Sequence, residues 1–430
     1  MNIIVAILIL GVIIIVHELG HFLLAKKNGI TVTEFSVGMG PRIASVVKNG
    51  TRYSLKALPF GGSCMMLGED EVSDDEGAFH KKSVGARFSV IIGGALFNFI
   101  FAFILALIVL GAQGVDLPNI TKVSAGSPVE QKGLQEGDLI TKINGSTIHF
   151  GKEVYYYFYF NPLDENAIKV TYQRDGKEYT KSILPKFVNT YHLGCTFNPQ
   201  QEVAELTEVG IDSPLAQQGL QSGDIVVGIN NTTITSGKDL FNYLAENPLT
   251  DKPVSLTYQR EGVDKTVTIS PKFFSSGYDI GWEYNLVSEK VSAFNVVKFS
   301  FYELKYNIVN TLKGLEYLIT GRVSVKEIAG PVGIVNMVGD VVQESKPYGF
   351  GVTLLSLARF CILISANLGV MNLLPIPALD GGRLVFIIIE AIRRKPVPKE
   401  KEAMVHLVGM AALMVLMVFI LFNDVRNLFG

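Results

Sequence analysis

The opening residues confine the fold more than any other stretch of this chain. Residues 2–25 are apolar apart from one polar cluster, Val16-His17-Glu18-Leu19-Gly20-His21. As a helix rising 1.5 Å per residue, a stretch of this length reaches roughly 36 Å, enough to cross a hydrocarbon core of about 30 Å. Ionisable side chains inside such a span are costly, so they must face protein or a wet cavity rather than lipid. The rest of the chain therefore has to cover that cluster. A cleaved secretory signal is the bland alternative, but no basic segment precedes the apolar run and no small-residue cleavage site precedes Lys26-Lys27, so the helix is expected to stay.

Composition agrees with a membrane setting, because 48% of the residues are hydrophobic and only 18% are charged. With 38 basic against 40 acidic residues there is no excess positive charge to grip a phosphate backbone, which argues against nucleic-acid binding. The cysteines, Cys64, Cys195 and Cys361, are far apart and form no CxxC, so a metal here has to use histidine and carboxylate.

Further spans are expected at about residues 88–112, 352–374 and 405–422, while 384–392 is apolar but too short to cross alone. The loop before the last span carries Arg393, Arg394, Lys395, Lys399 and Lys401, and the first loop carries Lys26, Lys27, Lys81, Lys82 and Arg87. Basic loops stay cytoplasmic, which puts both termini and residues 113–351 on the outer side of the membrane.

That outer stretch repeats itself. Ser127-Pro128, Gly137-Asp138, Ile143-Asn144 and Thr171-Tyr172-Gln173-Arg174 recur as Ser213-Pro214, Gly223-Asp224, Ile229-Asn230 and Thr257-Tyr258-Gln259-Arg260, at one constant offset of 86 residues. A gap-free register of this length means two copies of one small α/β module. The shared pattern SPxxxxGLxxGDxIxxIN resembles PDZ domains of the circularly permuted bacterial kind. PDZ domains take an extended peptide onto a sheet edge, so the copies serve either peptide recognition or plain shielding of a membrane site. Residues 290–350 are amphipathic without being apolar enough to span; Phe299, Tyr302, Leu304, Ile308, Leu312 and Leu315 mark one face of a helix that lies on the membrane or packs on protein.

The polar cluster of the first span reads as HExxH. One helical turn separates His17 from His21, so both imidazoles can reach one Zn²⁺, and Glu18 can hold a water beside it. Alternatively, the polar cluster merely packs helices. Two histidines and a water leave a tetrahedral zinc one protein ligand short. Asp380 is the expected third, in Asn372-Leu373-Leu374-Pro375-Ile376-Pro377-Ala378-Leu379-Asp380-Gly381-Gly382, where two prolines break the helix after the third span. Alternatively Asp380 only caps the helix that follows, and Glu390 is the competing carboxylate.

HExxH in the first span, NxxPxPxLDG after a later one and PDZ-like modules between them together resemble the site-2 proteases, the intramembrane zinc metalloproteases, and in particular their RseP-like bacterial branch. The resemblance covers nearly the whole chain. It implies a polytopic α-helical membrane protein with four transmembrane helices and two extracytoplasmic α/β PDZ domains. It divides into 1–112, 113–190 (first PDZ domain), 200–276 (second PDZ domain), 290–350 and 351–430. It further implies one zinc held by His17, His21 and Asp380, with Glu18 as catalytic base and Asn372 and Asn367 holding substrate backbone. Residues 58–69, with Phe60, Gly61, Gly62, Met65 and Met66, resemble the family's membrane-dipping β-hairpin that pairs with substrate. Gly94-Ala95-Leu96-Phe97-Asn98 resembles its GPxxN element, with Ala95 in place of proline, and 330–334 resembles the segment ahead of the third span. The implied substrates are single-span anti-sigma factors or remnant signal peptides in a bacterial cytoplasmic membrane, cut after an upstream site-1 protease has acted. A non-proteolytic scaffold or an ion transporter is the competing class; a transporter would usually show more spans or repeated membrane halves.

Overall fold

Helix α1, Asn2–Lys27, opens the chain in a computed structural model that describes residues 2–69, 71, 73–324 and 329–429. Its last turn carries Lys26 and Lys27, and the chain then reverses into two long strands, β1 (Val32–Lys48) and β2 (Thr51–Met66). Asn49 and Gly50, at φ 50° and 76°, supply the two positive-φ positions of a tight hairpin turn. The hairpin is folded a second time. Val37 pairs with both Leu55 and Gly62, and Ser36 with both Ser54 and Ser63, so 32–37 is an inner ribbon between 51–55 and 62–66. Residues 62–66 are consequently an edge, paired on one side only among the described residues. Glu34 holds the fold in place. The Ser54 hydroxyl, the Arg42 guanidinium and the nearby Lys56 ammonium hold its carboxyl down to about 2 despite its burial.

Helix α2, Val84–Gln113, follows, with Ser83 Oγ accepting the Ala86 N–H at 3.2 Å as its cap. It crosses α1 at glycines: a Cβ on Gly20 would lie 2.2 Å from the Gly93 carbonyl oxygen, and one on Gly94 2.5 Å from His17 Cε1 and His21 Nε2. Small residues let membrane helices approach closely, and here they seat two imidazoles against the neighbouring backbone.

The chain then leaves this unit, Met1–Val115 with Lys290–Gly430, for a second one, Asp116–Glu289. There it runs β3 (Ile120–Val123), α3 (Pro128–Gln131), β4 (Leu139–Ile143), β5 (Ser146–Thr147), α4 (Gly151–Phe160), β6 (Ile168–Arg174), β7 (Lys177–Ile183), β8 (Lys186–His192) and β9 (Cys195–Phe197). It repeats as β10 (Leu206–Val209), α5 (Pro214–Gln217), β11 (Ile225–Ile229), β12 (Thr232–Thr233), α6 (Gly237–Glu246), β13 (Val254–Arg260), β14 (Val263–Ile269), β15 (Lys272–Asp279) and β16 (Trp282–Tyr284). Sheets β5-β4-β6-β7 and β12-β11-β13-β14 have the same strand order. The repeated letters are those that satisfy polar groups. Ser127 and Ser213 cap α3 and α5, Asn144 and Asn230 accept the Lys169 and Ser255 N–H groups, and buried Asp138 and Asp224 accept forked bonds from Arg174 and Arg260.

The two copies are not simply consecutive. Strand β9 pairs with β10 and Leu193 belongs to the second core, whereas β16 pairs with β3 and Ile280 belongs to the first. Strands β8 and β15 run antiparallel between them. The first module is thus closed by residues that come after the second, beyond the expected limits of 113–190, and the second takes in residues before 200. Both tails read apolar-Gly-x-x-aromatic, Leu193 to Phe197 and Ile280 to Tyr284, so the pattern does not tell which core each tail joins.

Back in the first unit come α7 (Ala293–Ile319), α8 (Pro331–Ser345), α9 (Phe350–Leu373), α10 (Asp380–Arg393) and α11 (Lys399–Phe429). Among the described residues, four helices are long and apolar enough to cross a membrane: Ile3–Lys27, Val84–Gln113, Phe350–Leu373 and Glu400–Asp424. The amphipathic α7 packs on protein. Leu304 joins the cluster of Ala102, Ala106, Ile362 and Ala366, and the Phe301 and Phe103 ring centres lie 4.4 Å apart. Lys290 Nζ donates to the Gly111 and Ala112 carbonyls at the C-terminus of α2, where a cation is favoured. Asp424, near the end of α11, accepts the N–H groups of Gly330, Val332 and Gly333 at 3.0 to 3.1 Å and so caps α8.

Candidate metal centre

His17 and His21 sit one turn apart on α1, both buried, at 8% and 7% exposure. Their Nε2 atoms are 3.2 Å apart and their rings nearly perpendicular, at 84°. Asp380 Oδ2 completes a triangle, 3.2 Å from His17 Nε2 and 3.3 Å from His21 Nε2. Donors at zinc distances of about 2.0–2.1 Å in a tetrahedral array are spaced about 3.3–3.4 Å, so the three atoms fit one face of such an array. The chemistry of the donors fits as well. His21 Nδ1 lies 2.9 Å from the Val90 carbonyl oxygen, an acceptor only, so Nδ1 carries a proton and Nε2 is the nitrogen left to ligate a metal. A cation between these nitrogens and the Asp380 carboxylate, a proton or a metal ion, satisfies both, and three donors converging on one point suit a metal ion.

The LDG segment delivers Asp380. After α9 the chain turns at Pro375 and Pro377, Ala378 takes φ 76°, and Asp380 becomes the first residue of α10, with Leu379 rather than Asp380 at the cap position. The capping alternative for Asp380 therefore fails. The competing carboxylate is also spent, since Glu390 takes a two-pronged ion pair from Arg87, at 2.5 and 3.1 Å. The loop is braced from α11, where His406 Nδ1 accepts the Ala378 N–H at 2.9 Å.

A cavity of about 690 Å³ opens beside the triangle, lined by Glu18, His21 and Asp380 on one side and by Gly62, Met65 and Met66 of the hairpin edge on the other. The approach is close: a Cβ on Gly62 would stand 3.2 Å from Glu18 Cγ. Gly61, at φ 81°, turns the strand into this edge. The Phe60 side chain lies outside the described residues. Arg383 of α10 pairs with Glu69 past the end of the hairpin and joins the LDG helix to it.

The two asparagines differ in placement. Asn372 Nδ2 is 3.5 Å from both ring nitrogens of His17. Asn367 Oδ1 instead accepts the Thr311 hydroxyl at 2.5 Å, which ties α9 to α7. Two features escaped sequence reasoning as site residues. The Arg383–Glu69 pair left no signal, because its partners are far apart in the chain. Asn98, whose Nδ2 is 3.3 Å from His17 Nδ1, did leave one, as the last residue of the GPxxN-like element at 94–98 and a lone amide within an otherwise apolar span.

A triangle of potential metal donors with Glu18 lining the same cavity, two donors on the membrane-length α1 and the third at the start of the shorter α10, fits a membrane metallopeptidase. The family profile "Peptidase family M50" matches residues 5–416. "Zinc metalloprotease RasP" of Bacillus licheniformis is 31% identical over 100% of this chain and 100% of that protein. "Regulator of sigma-W protease RasP" of Bacillus subtilis is 29% identical over 100% of this chain and 99% of that protein. Among solved structures, the HtrA3 PDZ domain bound to a phage-derived ligand matches 21% of this chain and 93% of its own at 22% identity, with a TM-score of 0.18, too low to carry structural weight. The chain belongs to peptidase family M50, and with it to the zinc metalloendopeptidases.

Proposed function

We propose that this protein hydrolyses peptide bonds within the transmembrane segments of single-span membrane proteins. His17, His21 and Asp380 hold one zinc, and Glu18 is the catalytic base. The spacing of the three donor atoms at 3.2 to 3.3 Å carries the reading. Zinc, when bound, supplies the Lewis acidity that makes water nucleophilic near neutral pH. Glu18 takes the water proton and passes it to the departing amine. A substrate helix hides its carbonyls in its own hydrogen bonds, so it has to unwind before it can be cut. The edge strand around Gly61, Gly62, Met65 and Met66 offers replacement backbone bonds, and it runs past Glu18. The amide nitrogens of Asn367 and Asn372 serve the same extended backbone.

In this reading both termini and the second unit lie outside the cytoplasm, its two modules are PDZ domains, and the basic loops face inward. The modules act at the outer face as a size filter or as a dock for a newly cut peptide end, so that cleavage follows an upstream protease. The name of the B. subtilis relative, a regulator of sigma-W, supports anti-sigma factors as substrates; remnant signal peptides have the same single-span chemistry. The test uses Glu18→Gln protein with a tagged single-span substrate and a parallel zinc assay. Cleavage is expected to fall at least about 100-fold with zinc retained. Unchanged processing would remove Glu18 from the chemistry.

A further inference from the structure

Asn98 sits on α2 among apolar neighbours and is fully buried, at 0% exposure. Its side-chain nitrogen faces His17 Nδ1 at 3.3 Å, while its Oδ1 is buried with no hydrogen-bond partner. An orphaned amide oxygen in an apolar interior costs about 1–3 kcal/mol, so it calls for a physical reason. The two ends of the amide have nearly the same shape, and a half-turn about the last side-chain bond exchanges them.

Which end faces the ring decides where the imidazole proton goes. With nitrogen toward the ring, His17 Nδ1 must be bare, and its proton then sits on Nε2, aimed at Asp380 and His21. With oxygen toward the ring, Nδ1 carries the proton and donates it to Asn98 Oδ1, the amide nitrogen takes the place Oδ1 has now, and Nε2 is left bare. Only the second arrangement matches His21, whose tautomer the Val90 carbonyl already sets. It is also the only one that lets both Nε2 atoms act as ligands. Asn372 does not compete for this role. Its amide nitrogen is equally far, at 3.5 Å, from Nδ1 and Nε2, a position off the in-plane lone pair of either. Asn98 is held where it is needed, because Ser365 Oγ donates to its backbone carbonyl at 2.9 Å, and because Gly94, one turn earlier on α2, leaves room for both rings.

We infer that Asn98 is a positioning residue that accepts the His17 Nδ1–H through Oδ1, fixes that ring's tautomer and orientation, and so tunes metal affinity. The inference rests on the zinc reading above. The two imidazoles are oriented by different means: His21 by a backbone carbonyl that no substitution removes, His17 by a side chain that one substitution does.

The test measures zinc affinity by chelator competition on the purified full chain in detergent, with the visible absorption of the cobalt-substituted protein as a second readout. Asn98→Leu cannot accept and is expected to weaken zinc binding about 10–100-fold and to shift the cobalt bands. Asn98→Asp can only accept; it is expected to stay within a few-fold of the native protein and to keep its bands. A merely structural role would not separate these two variants. Native affinity in Asn98→Leu, or equal losses in both, overturns the inference while leaving the zinc reading intact. A native chain that takes up no zinc overturns both.

Discussion

Residues 192–197 and 279–284 make the same turn into the same strand, one in each module of the second unit, and they differ in what fills the turn. Gly194 and Gly281 have φ 80° and 79°, and a Cβ on either would stand 2.3 Å from the Cβ of Ser213 or Ser127. Ahead of Gly281, Asp279 folds its carboxylate back, and Oδ1 accepts the N–H groups of Ile280 at 2.8 Å and Gly281 at 3.1 Å. Ahead of Gly194 stands His192, and among the described residues the Leu193 and Gly194 N–H groups have no partner. The next position contrasts again. Trp282 lies 6.4 Å from the Phe158 ring, centre to centre, and packs on the first core, whereas the second module has the smaller Cys195 there. The modules share what satisfies buried polar groups and diverge at the exposed mouth of this turn. The first is closed on itself, while the second leaves two donors open, a backbone arrangement suited to an acceptor.

The strongest way to break this comparison is at the shared glycines. Gly194→Ala and Gly281→Ala each combine a positive φ with a clash against a serine Cβ, and each is expected to cost its own module about 3 kcal/mol. Hydrogen exchange on the full chain reads the modules separately. Equal losses support one common turn; a loss confined to one module would show that the resemblance between them is superficial.

Acid probes the shared ion pair with a smaller effect. Burial pushes the Asp224 carboxyl up, but the Arg260 guanidinium and the Gln221 N–H outweigh it and hold it below the usual carboxylate range. A group depressed on folding contributes stability that is present above its unfolded pKa, about 3.9, and lost as pH falls through the folded value. Exchange in the second module is therefore expected to quicken below about pH 4. In Asp224→Asn it is expected to be roughly tenfold faster already at pH 7, with that acid slope gone. An unchanged slope in the variant would take the ion pair out of the account.

These contrasts also mark where sequence reading stops. His17, His21 and Asp380 were legible because ionisable groups in apolar surroundings have few ways to exist. The module repeat was legible because Asp138, Arg174 and their copies each satisfy a buried polar group that tolerates little else. The exchange of closing strands was not, since the two tails have the same apolar pattern and only three-dimensional packing assigns each to a core. The doubled hairpin was hidden for a related reason: alternation along 32–37 is the same whether the ribbon has one neighbour or two. Asn367 shows the limit for single residues, because nothing in the sequence tells that its Oδ1 accepts the hydroxyl of Thr311 on another helix.

The smallest effect sharpens the contrast between the two turns most directly. Asp279 is an exposed side chain, so the pair of bonds it makes contributes little, and Asp279→Ala is expected to cost the first module about 1 kcal/mol. His192→Ala removes no acceptor and is expected to change the second module by less than about 0.5 kcal/mol. The informative variant is the transplant, His192→Asp. If the turns are equivalent in backbone, the new carboxylate meets the Leu193 and Gly194 N–H groups as Asp279 meets its own. Exchange of those two amides should then slow, while Ile280 and Gly281 stay as they are. No slowing would mean that the open donors of the second module point away from any residue at position 192, and that the two turns match in φ but not in the direction of their amides.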